Sequence, residues 1–163
     1  MINDRSVIDF SESGANLYPH LKVTAEEFPR ILATRRFEDD DAEYFGAFLP
    51  KTGVRIMMDF VNRVFRLRSC DIEIDGNFPV PCTQFYRKRC LAPCVENLCS
   101  REIYMEMAGL AKLFLSNQRG LLVRELQSRI TIQAEALEFE TAAEWRDILV
   151  KIENYWKIAR SNV

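Results

Sequence analysis

The chain has 163 residues, about the length of one ordinary domain or two small ones. Apolar residues make up 48% and charged residues 28%, with a net charge of -2, a globular composition that excludes collagen-like, mucin-like and fully disordered classes. No segment reaches the roughly 18–20 apolar residues of a membrane span, the N-terminus lacks the apolar core of a secretory signal, and near-neutral charge argues against a coat for nucleic acid. The expectations are a cytoplasmic location and no membrane association.

In chain order, Leu21 and Val23 alternate with polar neighbours and predict a short strand. A second follows at Ile31-Leu32-Ala33-Thr34, after the interruption at Glu26 to Pro29. The acidic run Glu38-Asp39-Asp40-Asp41 reads as a solvated turn. Val54, Met57, Met58, Val61 and Phe65 recur at helical spacing, with the methionines as core filling.

From Leu67 to Cys99 no period is visible, and Pro79, Pro81 and Pro93 interrupt the segment, so something other than an ordinary core must order it. Ser100 is a candidate N-cap for a helix carrying Ile103, Met107, Leu110, Ala111, Phe114 and Leu115, which should stop near Asn117 to Gly120. Two further stripes, Leu122 to Leu137 and Ala142 to Trp156, break around Glu138 to Glu140 and predict an antiparallel helical hairpin whose apolar stripe seeks a partner helix.

All five cysteines fall between Cys70 and Cys99, spaced C-x11-C-x7-C-x3-C-x4-C. In a reducing compartment this clustering points to metal ligation or redox chemistry ahead of disulfides. Four thiolates suit either zinc or an iron-sulfur cluster, and chemistry alone leaves Cys99 as an alternative to Cys94 for the fourth ligand. Between Cys82 and Cys90 lies Phe85-Tyr86-Arg87-Lys88-Arg89. Basic residues beside aromatic ones make either a nucleic-acid contact at Tyr86, Arg87, Lys88 and Arg89 or a solvated basic loop. Arg63, Arg66 and Arg68 extend the patch in sequence, offset by Asp71, Glu73 and Asp75.

Tyr44-Phe45-Gly46, Leu67 to Cys70, Cys90-Leu91-Ala92-Pro93-Cys94 and Leu137-Glu138-Phe139-Glu140-x-Ala142-Ala143-x-x-Arg146-Asp147 occur in this order. In these residues the chain resembles the middle of the UvrC family, the excinuclease C subunits of bacterial nucleotide excision repair, from about Tyr18 to Trp156. The resemblance implies a 4Fe-4S cluster on Cys70, Cys82, Cys90 and Cys94, with structural zinc as the alternative and Cys99 an ordinary thiol. It also implies that Leu126 to Ile152 is a UVR motif, the hairpin that docks on UvrB or a UvrB-like protein. Phe139 would be the apolar anchor beside Leu137, with Glu138, Glu140, Ala142, Ala143, Arg146 and Asp147 completing the surface.

The family's catalytic GIY-YIG positions have no counterpart here, since Tyr18 to Thr24 and Pro29 to Leu32 match only that domain's closing strands. The RNase H-like and helix-hairpin-helix parts are also absent, and Met1 to Leu17 carry no recognisable motif. His20, the only histidine, is expected on a strand surface and supports no His-based triad.

The expected fold class is α+β, mainly α. Its divisions are a strand remnant over 1–50, a cysteine-rich region with flanking helices over 51–119, and a UVR hairpin over 120–163. The expected function is a non-catalytic UvrC-like protein of excision repair that binds UvrB through the hairpin and DNA through the cysteine-rich region. The alternatives are part of a split or longer excinuclease, and a metal- or redox-sensing regulator.

Overall fold

A computed structural model describes residues 18–46 and 51–161, so Met1 to Leu17 and part of the 1–50 division lie outside the described residues. Among the described residues the fold is mixed α and β: five helices and one three-stranded antiparallel sheet. The strands are β1 (His20–Val23), β2 (Ile31–Thr34) and β3 (Glu43–Phe45), in the order β2-β1-β3. Leu21 faces Ala33 on one side and Phe45 on the other. The first two strands fall where alternation places them. The third has three residues, too few for a period to show.

One face of β1, Leu21 and Val23, enters the core. The opposite face was expected to be solvated and is not, because the connection between β2 and β3 folds back over it. Phe37 meets the His20 ring edge-on at 4.8 Å. Glu38 and Asp40 both pair with the ammonium of buried Lys22, which also lies 5.7 Å from the Tyr44 ring centre. The acidic run is an exposed turn, as expected, two of whose acids serve as counterions for a buried lysine, and these charge-assisted bonds hold the lysine pKa above its ordinary value.

His20 is therefore buried, not on a strand surface. Burial lowers its pKa from the ordinary 6.5, partly offset by a bond to the Tyr18 backbone. The unfolded chain then takes up a proton near pH 6.5, before the folded one does. The resulting stability is complete above that pH and is lost as pH falls through the lower folded value. With a single histidine in the chain, the melting temperature is expected to fall as pH drops below about 6.5. His20→Gln should flatten the profile in that window, and an equally steep profile in the variant would assign the effect elsewhere.

Helix α1 (Lys51–Phe65) buries Val54, Val61, Val64 and Phe65. Met57 and Met58 pack against this stripe as filling. A short α2 (Thr83–Tyr86) lies inside the cysteine segment, and α3 (Arg101–Leu115) follows it. The Ser100 hydroxyl accepts a bond from the Ile103 N–H at 3.3 Å, as its N-cap position predicts, an interaction worth about 1 kcal/mol. The helix stops where Asn117 adopts φ 57° and the amides of Asn117 and Gln118 bond back to Phe114 and Leu113. This is the Schellman turn that asparagine accommodates well.

Helices α4 (Arg119–Glu135) and α5 (Phe139–Ser161) form the expected hairpin, joined by three residues. It does not stand apart from the rest of the chain. Leu122, Leu126, Ile152 and Trp156 join α1, α3 and the sheet in one core, with Tyr155 stacked 4.4 Å from Phe60 and Trp156 lying 6.1 Å from Phe114. Arg129 on α4 pairs with Glu106 on α3 and lies over the Trp145 ring of α5. The stripe that needed a partner helix finds α1 and α3 at the open end of the hairpin, while the closed end projects. No described helix is long and apolar enough to cross a membrane.

Candidate metal centre and nucleic-acid interface

The cysteine segment is ordered by backbone bonding rather than by regular structure. At the end of α1, Arg66 turns the chain with φ 55°, and its carbonyl accepts from the Leu91 N–H at 2.9 Å, which brings the Cys90 strand back against the start of the segment. Arg68 follows and is only 3% exposed. Its guanidinium donates to the carbonyls of Phe28 at 2.7 Å, Cys70 at 2.9 Å and Ile72 at 3.1 Å, and pairs with Glu26 at 3.1 Å. The Arg68 backbone N–H donates to the Tyr104 hydroxyl, which donates in turn to the Pro29 carbonyl, both at 2.9 Å. Arg30 adds a second donor to the Cys70 carbonyl at 3.3 Å.

Arg68 is thus a structural clamp and not part of a basic surface patch. Nothing local separates it from Arg63 or Arg66 in the sequence, since its acceptors are carbonyls up to forty residues away.

Cys90 and Cys94 are buried, Cys70 is half-buried and Cys82 is exposed at the N-cap of α2. The Cys90 sulfur accepts a bond from the Ala92 N–H at 3.3 Å, made possible by the left-handed backbone of Ala92 at φ 54°. Burial pushes the Cys90 thiol up to about 11, with the Ala92 N–H opposing and Cys70, Cys82 and Cys94 each adding repulsion. Burial likewise raises Cys94, on which Cys70 and Cys82 also act. The first four cysteines therefore share one electrostatic neighbourhood. Cys99 is also pushed to about 11 by burial, but Cys90 is the thiol acting on it, and its Sγ donates to the Ser100 carbonyl at 3.4 Å.

As a donor set, four sulfurs with one N–H···S bond already formed suit a thiophilic metal or cluster. The arrangement is not a closed cage: among the described residues no three His, Cys, Asp or Glu side chains stand in a geometry that could hold a metal ion. The fit thus rests on donor chemistry and shared neighbourhood.

Immediately before Cys90, α2 ends in a turn with Lys88 at φ 55° and the Arg89 amide bonded to the Gln84 carbonyl at 2.8 Å. This turn projects Tyr86, which is 69% exposed, together with exposed Arg87 and Lys88. Arg89 is half-exposed and lies 3.6 Å from Asp59 on α1. The predicted basic cluster is therefore on the surface beside the cysteines.

The hairpin tip places Leu137, Glu138, Phe139, Glu140, Ala143, Arg146 and Asp147 in solvent. Leu137 and Phe139 are 72% and 65% exposed. Ala142 is the exception: it is 1% exposed and packs inside the chain, so it offers no surface to a partner.

These features define a small α+β module with a thiol-rich loop at its centre, a basic turn beside it and an apolar hairpin tip. Residues 18–114 match the family described as the UvrC/Cho excinuclease middle domain, and the chain belongs to that family. It is 38% identical over 136 residues to the UvrABC system protein C of Solibacter usitatus, covering 83% of this chain and 22% of that protein. The UvrABC system protein C of Koribacter versatilis is 38% identical over 138 residues, with 84% and 23% covered, and that of Gemmatimonas aurantiaca 39% over 138, with 83% and 22% covered. The chain thus spans about a fifth of the length of the curated relatives it matches. No solved structure matches it significantly.

Proposed function

We propose that this chain is a non-catalytic binding module of nucleotide excision repair. The α4–α5 tip engages UvrB or a UvrB-like protein, Cys70, Cys82, Cys90 and Cys94 hold a 4Fe-4S cluster, and Tyr86 to Arg89 contact DNA. Family membership supports the repair setting, and the shared neighbourhood of the four thiols supports the ligand set. When bound, the cluster cross-links three separate parts of an irregular segment and so replaces a core. The chain's own residues do the rest. Arg68 and Arg30 fix the Cys70 backbone, and the basic turn is carried directly on the two cysteines that flank it.

One observation carries the partner reading. Leu137 occupies the C′ position of the turn closing α4, at φ 61°, with its amide bonded to Ala134 and the Glu138 amide to Gln133. This is the Schellman geometry that favours glycine, and a leucine there costs roughly 1 kcal/mol of backbone strain. Its side chain gains nothing inside the chain, being mostly in water beside an equally exposed Phe139. A strained backbone that presents two apolar side chains at a tip supports the reading of this tip as an interface.

Two substitutions test the reading against the C-terminal hairpin of UvrB by calorimetric titration. Phe139→Ala is expected to weaken binding about 30-fold, the equivalent of an anchor worth about 2 kcal/mol. Leu137→Gly should raise the melting temperature by roughly 2–4 °C while also weakening the complex, because it removes strain and contact together. Unchanged affinity in both variants would remove the partner claim.

A second reading, a segment working within a split or longer excinuclease, is favoured by the fraction of its relatives that the chain spans. The same tip and turn would then serve a larger assembly.

A further inference from the structure

Between α1, the turn after α2 and the C-terminal half of α5 runs a groove of about 540 Å³. Five cations line it, namely Arg63 from α1, Arg87, Lys88 and Arg89 from the turn and Lys151 from α5, and no acidic side chain does. Asp59 on α1 pairs with Arg63 at 2.8 Å and lies 3.6 Å from Arg89, and so offsets two of the five. Among the described residues Arg87, Lys88 and Lys151 have no ion-pair partner, although the chain as a whole carries a net charge of -2. Collecting unneutralised like charges in one cleft of an acidic chain costs folding energy and focuses a positive potential there. The groove floor is apolar and aromatic, built on the Phe60–Tyr155 stack.

We infer that this groove holds a segment of single-stranded nucleic acid. Arg63, Lys88 and Lys151 take the phosphates from three sides, and bases lie on the aromatic floor and on exposed Tyr86. The inference rests on the reading that the basic turn contacts DNA and extends that contact to α1 and α5. Cations beside flat apolar faces match a polyanion that also carries rings, which an acidic peptide lacks. A volume within the roughly 300–1,000 Å³ that enclose a small ligand admits one or two nucleotides and is too small to enclose a duplex. Helix α5 would then serve the partner at its first turn and the nucleic acid three to four turns later.

The test is fluorescence anisotropy of the full chain with a labelled oligothymidylate of about 16 nucleotides, a length within the reach of one binding fold. Lys151 is exposed, so Lys151→Ala should melt as the wild type does. It is expected to bind about five-fold more weakly, with the log–log salt slope smaller by about 0.7 for the one lost phosphate contact. Lys151→Glu should weaken binding further.

Wild-type affinity in both Lys151 variants, with binding lost on Arg87→Glu/Lys88→Glu, would confine the contact to the turn, overturning the groove and sparing the turn. No binding by the wild type would overturn both. Displacement of the oligonucleotide by polyglutamate at equal charge concentration would make the groove an acidic-peptide site and overturn the assignment to nucleic acid.

Discussion

Arg68→Leu is expected to cost about 3 kcal/mol of folding stability, read as a melting temperature lower by roughly 6–12 °C. The side chain is buried, and its removal strands the carbonyls of Phe28 and Ile72 and leaves Cys70 only the longer bond from Arg30, in a site where leucine offers no donor. Each stranded acceptor costs about 1 kcal/mol or more, and the half-exposed Glu26 adds little because water replaces its partner. Arg68→Lys should recover only a small part, since an ammonium cannot reproduce a planar fork that serves separated acceptors. A loss below about 1 kcal/mol for the leucine variant would place the clamp among ordinary surface interactions.

The second large effect concerns the thiols. Protein purified without oxygen is expected to carry iron and sulfide and to show the broad visible absorption of thiolate-bound clusters. Cys90→Ser should lose both, because Cys90 is the thiol whose neighbours include each of the other three. Cys99→Ser should keep them. Stoichiometric zinc without sulfide would retain the four ligands and make the site purely structural. Retention of metal in Cys94→Ser with loss in Cys99→Ser would exchange the fourth ligand. Elemental analysis of the three variants separates these outcomes.

What the sequence disclosed follows the range of the interactions involved. Helical stripes such as Val54 to Phe65 and Leu122 to Trp156 are local signals, and the Ser100 cap is a three-residue signal, so both are readable in one dimension. His20 is buried against expectation, and the burial of Lys22 beside it was not legible, because both depend on a connection that returns fifteen to twenty residues later. Arg68 looked like its neighbours because its role depends on backbone carbonyls, one of them forty residues away, which leave no side-chain signal in the sequence. The cysteine spacing exposed the candidate site but not its shape, since no period governs the segment that carries it. The hairpin was legible as two helices, whereas its docking on α1 and α3 was not, because an apolar stripe does not name what covers it.

The bonding around the cysteines divides the segment into unequal halves. The Cys70 carbonyl is tied by two arginines, the Leu91 amide next to Cys90 is tied to Arg66, and the Cys94 carbonyl accepts from the Phe78 N–H at 3.1 Å. Cys82 sits at the exposed start of a four-residue helix with only that helix's own turn to hold it. On the proposed ligand set, three thiols would sit on backbone already anchored by these bonds, and Cys82 would close the site. Because Cys82 begins the helix that leads into the basic turn, closure on Cys82 under that proposal would also fix where Tyr86 to Arg89 stand.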